Sequence, residues 1–175
     1  MKILILGMLG AGKSTLAYNL CQDYRFSRLN LDEIARDKMS GEWFSEDKQL
    51  MKLDEFVKVN ESWVAEGVHK KLYECLKPDF IIYVKVSRFV AAWRFTIRFL
   101  KAKKLIGKTV DADLPVQAYH YRKPTFSKIC DWDRCNKNIR DDIEEYIGGK
   151  SYFVFNKKSD YKKICNILDN GKLSS

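Results

Sequence analysis

A short run near the start of the chain combines the residue types needed to hold a polyphosphate. Residues 7–14 read GMLGAGKS and fill every fixed position of the pattern G-x-x-x-x-G-K-[ST]. The glycines let the backbone turn sharply and approach an anion closely, so that successive N–H groups point inward. In this pattern Lys13 reaches the β- and γ-phosphates, and the Ser14 hydroxyl holds Mg²⁺. The run therefore predicts a binding site for a nucleoside triphosphate.

The residues on either side of this phosphate loop fit the same interpretation. Residues 2–6 form an apolar run typical of a buried parallel strand, and residues 13–24 have the composition of a helix. A helix that begins at the loop adds the positive end of its dipole to the inward-pointing amides. The residues predicted to contact the nucleotide here are Gly7, Gly10, Ala11, Gly12, Lys13, Ser14 and Thr15.

Strand-like and helical segments alternate along the rest of the chain. Apolar strand-like runs lie at 2–6, 26–31, 62–65, 80–86 and 152–155. Helical patterns lie at 13–24, 46–60, 69–76, 88–105, 116–128, 136–147 and 160–169. This alternation favours a single α/β domain over residues 1–175, a three-layer α/β/α sandwich with a five-stranded parallel sheet. Ligand sites in this architecture lie at the carboxyl ends of the strands.

Two acidic residues stand at the ends of predicted strands. Asp32 follows the second strand-like run, and Glu66 follows the third. Both are expected beside the phosphate loop, where an acid can order the water around Mg²⁺ or accept a proton from an acceptor hydroxyl. The alternative for Asp32 is the N-cap of a following helix, and the alternative for Glu66 is a solvated loop acid.

The predicted helix at 88–105 carries a row of cations. Arg94, Arg98 and Lys101 are spaced by four and three residues, so they share one helical face. Apolar residues on its other faces are expected to pack inward, namely Phe89, Val90, Trp93, Ile97 and Leu100. The cations could form a solvated face, or they could close over a triphosphate and neutralise its charge.

The composition limits the class of protein. The chain has 175 residues and is 46% hydrophobic, as expected of a globular domain. Its net charge of +9 favours nucleic acid or phosphorylated small molecules as partners, unless the charge only maintains solubility. No apolar run is long enough to span a membrane, and the first residues do not resemble a signal peptide.

The cysteines indicate the compartment. The five cysteines are odd in number and form no C-x-x-C pair, and because the sequence shows no secretion signal we expect reduced thiols and a cytoplasmic protein. Cys130, Cys135 and His120 do not have the spacing of a zinc site.

The chain resembles the adenylate-kinase-like P-loop kinases, and within them the bacterial topology modulation (FlaR-like) proteins. The matching segments are, in order, residues 7–15, the segment around Asp32, WVAEG at 63–67, residues 79–84, the helix with Trp93, Arg94 and Arg98, and Arg122-Lys123-Pro124. Together they span nearly the whole chain. The resemblance implies ATP as phosphoryl donor and Mg²⁺ as its metal. It also implies an acceptor-binding insertion at about 33–60 and a lid at about 101–118.

Several acceptor-side residues follow from the resemblance. Asp32 and Arg36 match an Asp followed four residues later by Arg, and Glu66-Gly67 matches the acid-glycine pair that ends the third strand. Arg122 is a further candidate for substrate binding. The run after Gly67 departs from the adenylate kinases, because residues 68–70 read VHK in place of aromatic-proline-arginine. Lys70 or Lys71 would supply the nearby charge, although a lysine lacks the guanidinium fork.

The resemblance also implies which residues bind the phosphoryl donor, ATP. Arg94 and Arg98 match the two arginines that open the lid, and they would stabilise the transferred group together with Lys13. The loop after the last strand would cradle adenine mainly through its backbone, which places Asn156 beside the base. Ser14 would hold Mg²⁺, and either Asp32 or Glu66 would contact its waters.

These observations predict an ATP-dependent phosphotransferase acting on a small-molecule acceptor, a nucleoside monophosphate or a similar metabolite. Arg36 would bind an acceptor phosphate, whereas Asp32 would act as the base for an acceptor hydroxyl. The alternative is a nucleotide-dependent regulator that binds nucleic acid. It is less favoured because no nucleic-acid-binding motif is present. The expected partners are ATP and the acceptor, with no membrane, and the protein is expected to be a monomer or a homodimer.

Overall fold

A five-stranded parallel sheet forms the centre of the computed structural model, with the strand order β2-β3-β1-β4-β5. The strands are β1 (Lys2–Gly7), β2 (Ser27–Asn30), β3 (Trp63–Glu66), β4 (Phe80–Val84) and β5 (Phe153–Phe155). The structure describes residues 1–37, 40, 42–105 and 132–172, with the backbone alone at 98–105, 132, 171 and 172. Each of the five strand-like runs coincides with one of these strands to within one or two residues at either end, so the sheet predicted from the sequence is confirmed.

Helices connect and cover the strands. They are α1 (Lys13–Tyr24), α2 (Leu31–Ala35), α3 (Glu46–Val59), α4 (Lys70–Glu74), α5 (Arg88–Leu105), α6 (Trp132–Ile147) and α7 (Ser159–Lys172). The pattern at 26–31 did not reveal α2, which begins where the second strand was expected to end. The helix predicted at 116–128 lies outside the described residues.

The central strand β1 supplies both layers of the core. Ile3 and Ile5 point to one face of the sheet and Leu4 and Leu6 to the other, because successive side chains of a strand alternate between faces. Leu4 and Leu6 pack with residues of α2, α3, α4 and α6, among them Leu31, Ile34, Leu53, Leu72 and Ile143. Ile3 and Ile5 pack with residues of α1 and α7, among them Leu16, Leu20, Ile164 and Leu168. The sheet is therefore covered on both sides, as the α/β/α prediction required.

The orientation of α5 differs from the prediction. Phe89 and Trp93 are 88% and 67% exposed, and Val90 is exposed too, so these residues do not pack inward. Ala91 is fully buried instead, and Ile97 is half-buried. The reason is that the first turns of α5 lie against the phosphate loop through the small Ala91 side of the helix. The side chain of Leu100 lies outside the described part.

The two predicted insertions are described to different extents. Residues 33–60 contain the end of α2, an isolated antiparallel bridge between Arg36 and Trp43, and α3. Of the segment 101–118, only the backbone of residues 101–105 is described, as the last turn of α5. Among the described residues, no helix combines the length and the apolar character needed to cross a bilayer.

Candidate active site

The phosphate loop connects the end of β1 to the start of α1. Gly10 and Gly12 have φ angles of 85° and 101°, a left-handed conformation that glycine adopts without steric cost. The Lys13 side chain is 8% exposed and folds back over the loop, where Nζ donates to Gly7 O at 2.9 Å and to Met8 O at 3.1 Å. The local geometry therefore agrees with the motif, and a buried ammonium lies at the loop ready to bind an anion.

Helix α5 packs directly on this loop. A Cβ atom placed on Gly10 would lie 2.5 Å from the carbonyl oxygen of Ala91, so only glycine permits this approach. One turn further along α5, Arg94 Nη1 donates to Ala11 O at 3.1 Å. The structure thus brings Arg94, a residue selected from the sequence, to the phosphate loop. The side chain of Arg98 lies outside the described part, and Arg122 lies outside the described residues.

A cavity of about 570 Å³ opens beside the loop on the α1 and α7 side of the sheet. Its lining residues are Ala11, Gly12, Thr15, Leu16, Asn19, Arg94, Phe155, Lys158 and Tyr161. The Tyr161 hydroxyl donates to Asp23 Oδ2 at 2.6 Å. Burial and this hydrogen bond raise the pKa of Tyr161 above its usual value, so the hydroxyl stays protonated and holds the wall in place.

The turn between β5 and α7 forms one rim of this cavity. Oδ2 of Asp160 accepts hydrogen bonds from the backbone N–H groups of Asn156 at 3.0 Å and Lys157 at 3.1 Å. These bonds lower the pKa of Asp160, with help from Lys163. Asn156 therefore stands in an ordered turn next to the cavity, between the lining residues Phe155 and Lys158.

Asp32 lies in the first turn of α2 and contacts a residue of the loop that follows the neighbouring strand β3. The distance from His69 Nε2 to Asp32 Oδ1 is 2.9 Å. The N-cap of α2 is Asn30, whose side chain accepts a hydrogen bond from Asp32 N at 2.9 Å. The interpretation of Asp32 as an N-cap is therefore wrong. Since β2 and β3 are neighbours and end at the same edge, Asp32 and His69 meet although they are far apart in sequence.

Two further residues complete a polar group around Asp32. The guanidinium of Arg36 lies over the Trp43 ring, 3.7 Å from its centroid, and the Trp43 and His69 rings meet edge to face at 5.2 Å. We call Asp32, Arg36, Trp43 and His69 the Asp32 cluster. Trp43 is 55% exposed, so the cluster is open to solvent on one side. Asp32 and Arg36, noted in the sequence for their spacing, are therefore linked through His69 and Trp43.

Glu66 is a buried acid at the end of β3. It is 3% exposed, and its Oε1 forms an ion pair with Arg28 Nη2 at 2.8 Å. The interpretation as a solvated loop acid is therefore wrong, because a buried carboxylate needs such a partner. In the sheet register Glu66 pairs with Ile5 of β1, two residues before Gly7, which places it close to the phosphate loop. Gly67 follows it, and a Cβ there would lie 2.7 Å from Leu31 Cβ.

The lysines expected to replace the missing acceptor arginine have other contacts. Lys70 Nζ lies 2.6 Å from Glu145 and 3.3 Å from Asp142, both on α6. Lys71 Nζ lies 2.6 Å from Glu46 at the start of α3. Both lysines therefore join α4 to neighbouring helices.

Comparison with solved structures shows the same architecture in two enzymes. Deoxyadenosine kinase from M. mycoides with bound dCTP is 17% identical and gives a TM-score of 0.54, with 97% of this chain and 100% of that chain covered. Shikimate kinase from Aquifex aeolicus is 14% identical, with a TM-score of 0.53 and full coverage of both chains. The chain has the P-loop kinase fold. No protein-family model matches the sequence, and no curated protein matches it as a relative.

A second structure of the M. mycoides enzyme, with the products dCMP and a flexible dCDP, matches the fold of this chain to a similar degree. It is 17% identical, covers 97% of this chain and 100% of its own, and has a TM-score of 0.52.

The residues around the phosphate loop fit a nucleotide with Mg²⁺. Among the described residues, no group of three His, Cys, Asp or Glu side chains could hold a metal without help. Magnesium in such sites is bound by one or two protein oxygens together with substrate phosphates and water. Ser14 at the start of α1, and Asp32 and Glu66 after β2 and at the end of β3, carry oxygen donors of the kind that Mg²⁺ takes. The glycine cradle at Gly10 and Gly12 offers the space that phosphates need.

Four residues at this site were not found from the sequence. Arg28 and His69 are partners of Glu66 and Asp32, and Trp43 joins Arg36 to His69. Asn136 on α6 accepts a hydrogen bond from Leu9 N in the phosphate loop. The VHK run after Gly67 held one usable signal, a histidine next to an expected site. The other three gave none, because Arg28 and Asn136 have partners in distant segments and Trp43 is linked to His69 only in the folded chain.

Proposed function

We propose that this protein is an ATP-dependent kinase that transfers the γ-phosphoryl group of Mg-ATP to a small-molecule acceptor. The observation that carries the proposal is the arrangement around the phosphate loop. A cavity of about 570 Å³ lies on its α1 and α7 side, and the open, polar Asp32 cluster follows β2 and β3 at the same sheet edge. A protein that only hydrolyses a nucleotide has no need of a second polar site.

The described side chains can supply what phosphoryl transfer requires, which is positioning and neutralisation of charge. Lys13 would exchange its two loop carbonyls for oxygens of the β- and γ-phosphates. Arg94 would add a second cation from α5, with Arg98 on the following turn. Ser14 would hold Mg²⁺, and Asp32 or Glu66 would contact its waters. Asn156 and its turn would lie beside the adenine.

The acceptor would bind at the Asp32 cluster, and its chemistry decides which residue acts. An acceptor phosphate, as in a nucleoside monophosphate, would be bound by Arg36 and by Arg122. An acceptor hydroxyl would lose its proton to Asp32, whose carboxylate His69 orients. The structural neighbours are named as kinases of deoxyadenosine and of shikimate, which supports an acceptor of metabolite size. Membership of the topology modulation group, a cytoplasmic location and a monomeric or homodimeric state stay predictions.

The decisive experiment measures ADP release from Mg-ATP with a panel of acceptors. The panel holds nucleoside monophosphates, nucleosides, hydroxy acids and sugars, and Lys13→Ala serves as the blank. We expect one class to stimulate ADP release in the natural protein and none to do so in Lys13→Ala, whose circular dichroism should be unchanged. Equal rates of stimulated ADP release in the two proteins would refute the assignment of the phosphate loop as the active site.

A nucleotide-dependent regulator that binds nucleic acid is the second candidate, and the net charge of +9 favours it. Of the aromatic residues that would stack on bases, Tyr119 and Tyr121 lie outside the described residues, as does the Trp132 side chain. Its test is DNA binding as a function of salt, with and without ATP. Tight binding that ignores acceptors and responds to ATP, with no stimulated ADP release, would favour this candidate over the kinase.

A further inference from the structure

One buried side chain ties α6 to the phosphate loop. Asn136 is 3% exposed, and its Oδ1 accepts a hydrogen bond from Leu9 N at 2.8 Å. This bond determines the orientation of the amide group, because only the oxygen can accept from a backbone N–H. The Nδ2 group therefore faces another direction, and it has no hydrogen-bond partner among the described residues. A buried donor of this kind is unfavourable unless a bound molecule supplies the acceptor.

Asn136 also lines a small cavity with a positive wall. The cavity measures about 70 Å³, and its other lining residues are Met8, Arg88, Asp133, Lys137 and Arg140. Asp133 neutralises Arg88 through an ion pair of 2.5 Å. Arg140 is held only loosely by Asp141, at 4.0 Å, and among the described residues no ion pair of Lys137 is found. The wall therefore keeps about two positive charges beside a buried amide donor.

The size of the cavity suits a small charged group. One water molecule needs roughly 10–15 Å³ of such space, so the cavity exceeds that several times. Guanidinium, ammonium and amide N–H groups all donate hydrogen bonds, and the first two carry positive charge, so their natural ligand is an oxyanion. The cavity for the nucleotide shares no lining residue with this one. The two are therefore separate sites on either side of the phosphate loop.

We propose that the cavity lined by Asn136, Lys137 and Arg140 is an oxyanion site for a phosphate or carboxylate group. Nδ2 of Asn136 donates to the anion while Oδ1 stays on Leu9 N, so that an occupied site links α6 to the phosphate loop. The anion is either a free phosphate ion or the charged group of the acceptor. The assignment of the anion to the acceptor rests on the proposed kinase function, whereas the site itself does not.

The test measures the NMR signals of the Asn136 side-chain amide as phosphate is added. In ¹⁵N-labelled protein, the side-chain NH₂ signals of Asn136 are assigned by their loss in Asn136→Asp. Inorganic phosphate is then titrated against chloride at constant ionic strength. We expect these signals and Leu9 N–H to shift with one saturable affinity. A response confined to the amides of residues 10–15, with the Asn136 signals unmoved, would overturn the proposal, because phosphate would then bind only at the triphosphate site.

Two variants separate this site from the nucleotide loop. Asn136→Asp keeps an acceptor for Leu9 N and places a negative oxygen where the donor was, so phosphate affinity measured at Leu9 N–H should fall at least about tenfold. Arg140→Gln, a change at a half-exposed position, should give a similar loss without a risk to folding. Lys162→Gln removes one positive charge from the exposed side of α7 and should leave the affinity unchanged. Equal losses in all three variants would point to long-range charge and refute a defined site.

Steady-state kinetics with phosphate as an inhibitor distinguish the two sources of the anion. If the acceptor carries it, phosphate competes with the acceptor, and Arg140→Gln raises the KM of the acceptor while that of ATP stays constant. If the anion is a free ion, phosphate binds at this site without competing with the acceptor. Should no acceptor be found, the NMR titration still decides the oxyanion site, so its failure and that of the kinase proposal remain distinct.

Discussion

Individual residues at the site divide into those that act through local geometry and those that need a distant partner. The phosphate loop belongs to the first kind, since glycine conformations and the position of Lys13 depend on a few neighbouring residues. Its geometry could therefore be predicted from the spacing alone. Asp32 belongs to the second kind. Its contact with His69 exists only because β2 and β3 are adjacent in the sheet, which a local pattern does not reveal.

Asp32 offers a direct test at this scale. For an acceptor that reacts through a hydroxyl, Asp32→Asn should lower kcat at least about a hundredfold, because an amide cannot take up the proton. Steady-state kinetics with the stimulating acceptor measures this. Glu74→Gln, which changes an exposed acid at the end of α4 outside the acceptor-binding insertion, is the control and should be neutral. A change of only a few-fold in Asp32→Asn would show that Asp32 is not the base.

Secondary-structure elements bring these residues together through close backbone contact. The approach of α5 to Gly10 is such a contact, and Gly10→Ala would force Ala91 and α5 away from the loop. We expect at least about a tenfold loss of ATP affinity, since Arg94 would leave Ala11 O and the loop amides would shift. Calorimetric titration of a non-hydrolysable ATP analogue measures this loss.

Gly149→Ala is a matched control for Gly10→Ala. Gly149 has a φ angle of 78°, close to the 85° of Gly10, but a Cβ there would meet nothing within 4 Å. Both variants carry the strain of a left-handed alanine, of the order of 1 kcal/mol. Only Gly10→Ala should weaken nucleotide binding. Similar affinities in the two variants would mean that the contact with α5 is dispensable.

The turn between β5 and α7 makes a prediction about pH. Hydrogen bonds from the N–H groups of Asn156 and Lys157 lower the pKa of Asp160, so its ionised form stabilises the fold. That contribution is complete above the usual carboxyl pKa of about 4 and is lost as the pH falls through the lowered value. The melting temperature of Asp160→Asn should therefore lie below that of the natural protein at pH 7, and the difference should shrink below about pH 4. A difference independent of pH would contradict this role.

The elements also show where sequence analysis reaches its limit. All five strands were predicted because buried parallel strands are short, continuous apolar runs. The face of α5 that packs inward was predicted wrongly, because Phe89 and Trp93 were assigned to the core by their apolar character alone. A helix that packs through one small residue, as Ala91 does on Gly10, leaves its large apolar residues exposed. The charge partners of Lys70 and Lys71 were missed because they lie on α6 and α3.

The whole molecule is stabilised by two apolar layers that share one sheet. Ile143 in α6 and Ile164 in α7 are both fully buried, one on each side. Ile143→Ala and Ile164→Ala should each reduce the free energy of unfolding by about 2–5 kcal/mol. Because β1 contributes to both layers, each variant should still unfold in one transition when tryptophan fluorescence and circular dichroism are followed together in urea. Two separate transitions would indicate that the layers unfold independently.

The register of β1 has a consequence for how the chain is made. Lys2 pairs with Trp63 and Ile3 pairs with Phe80, so β1 has no neighbour in the sheet until much later residues have left the ribosome. At roughly 5–20 residues per second, the strand waits several seconds with its apolar side chains and edge groups exposed. Early collapse of α1 onto β1 can cover only one of its faces. The nascent protein is therefore most vulnerable to aggregation before β3 and β4 emerge, and its rate of synthesis through residues 8–84 sets how long that interval lasts.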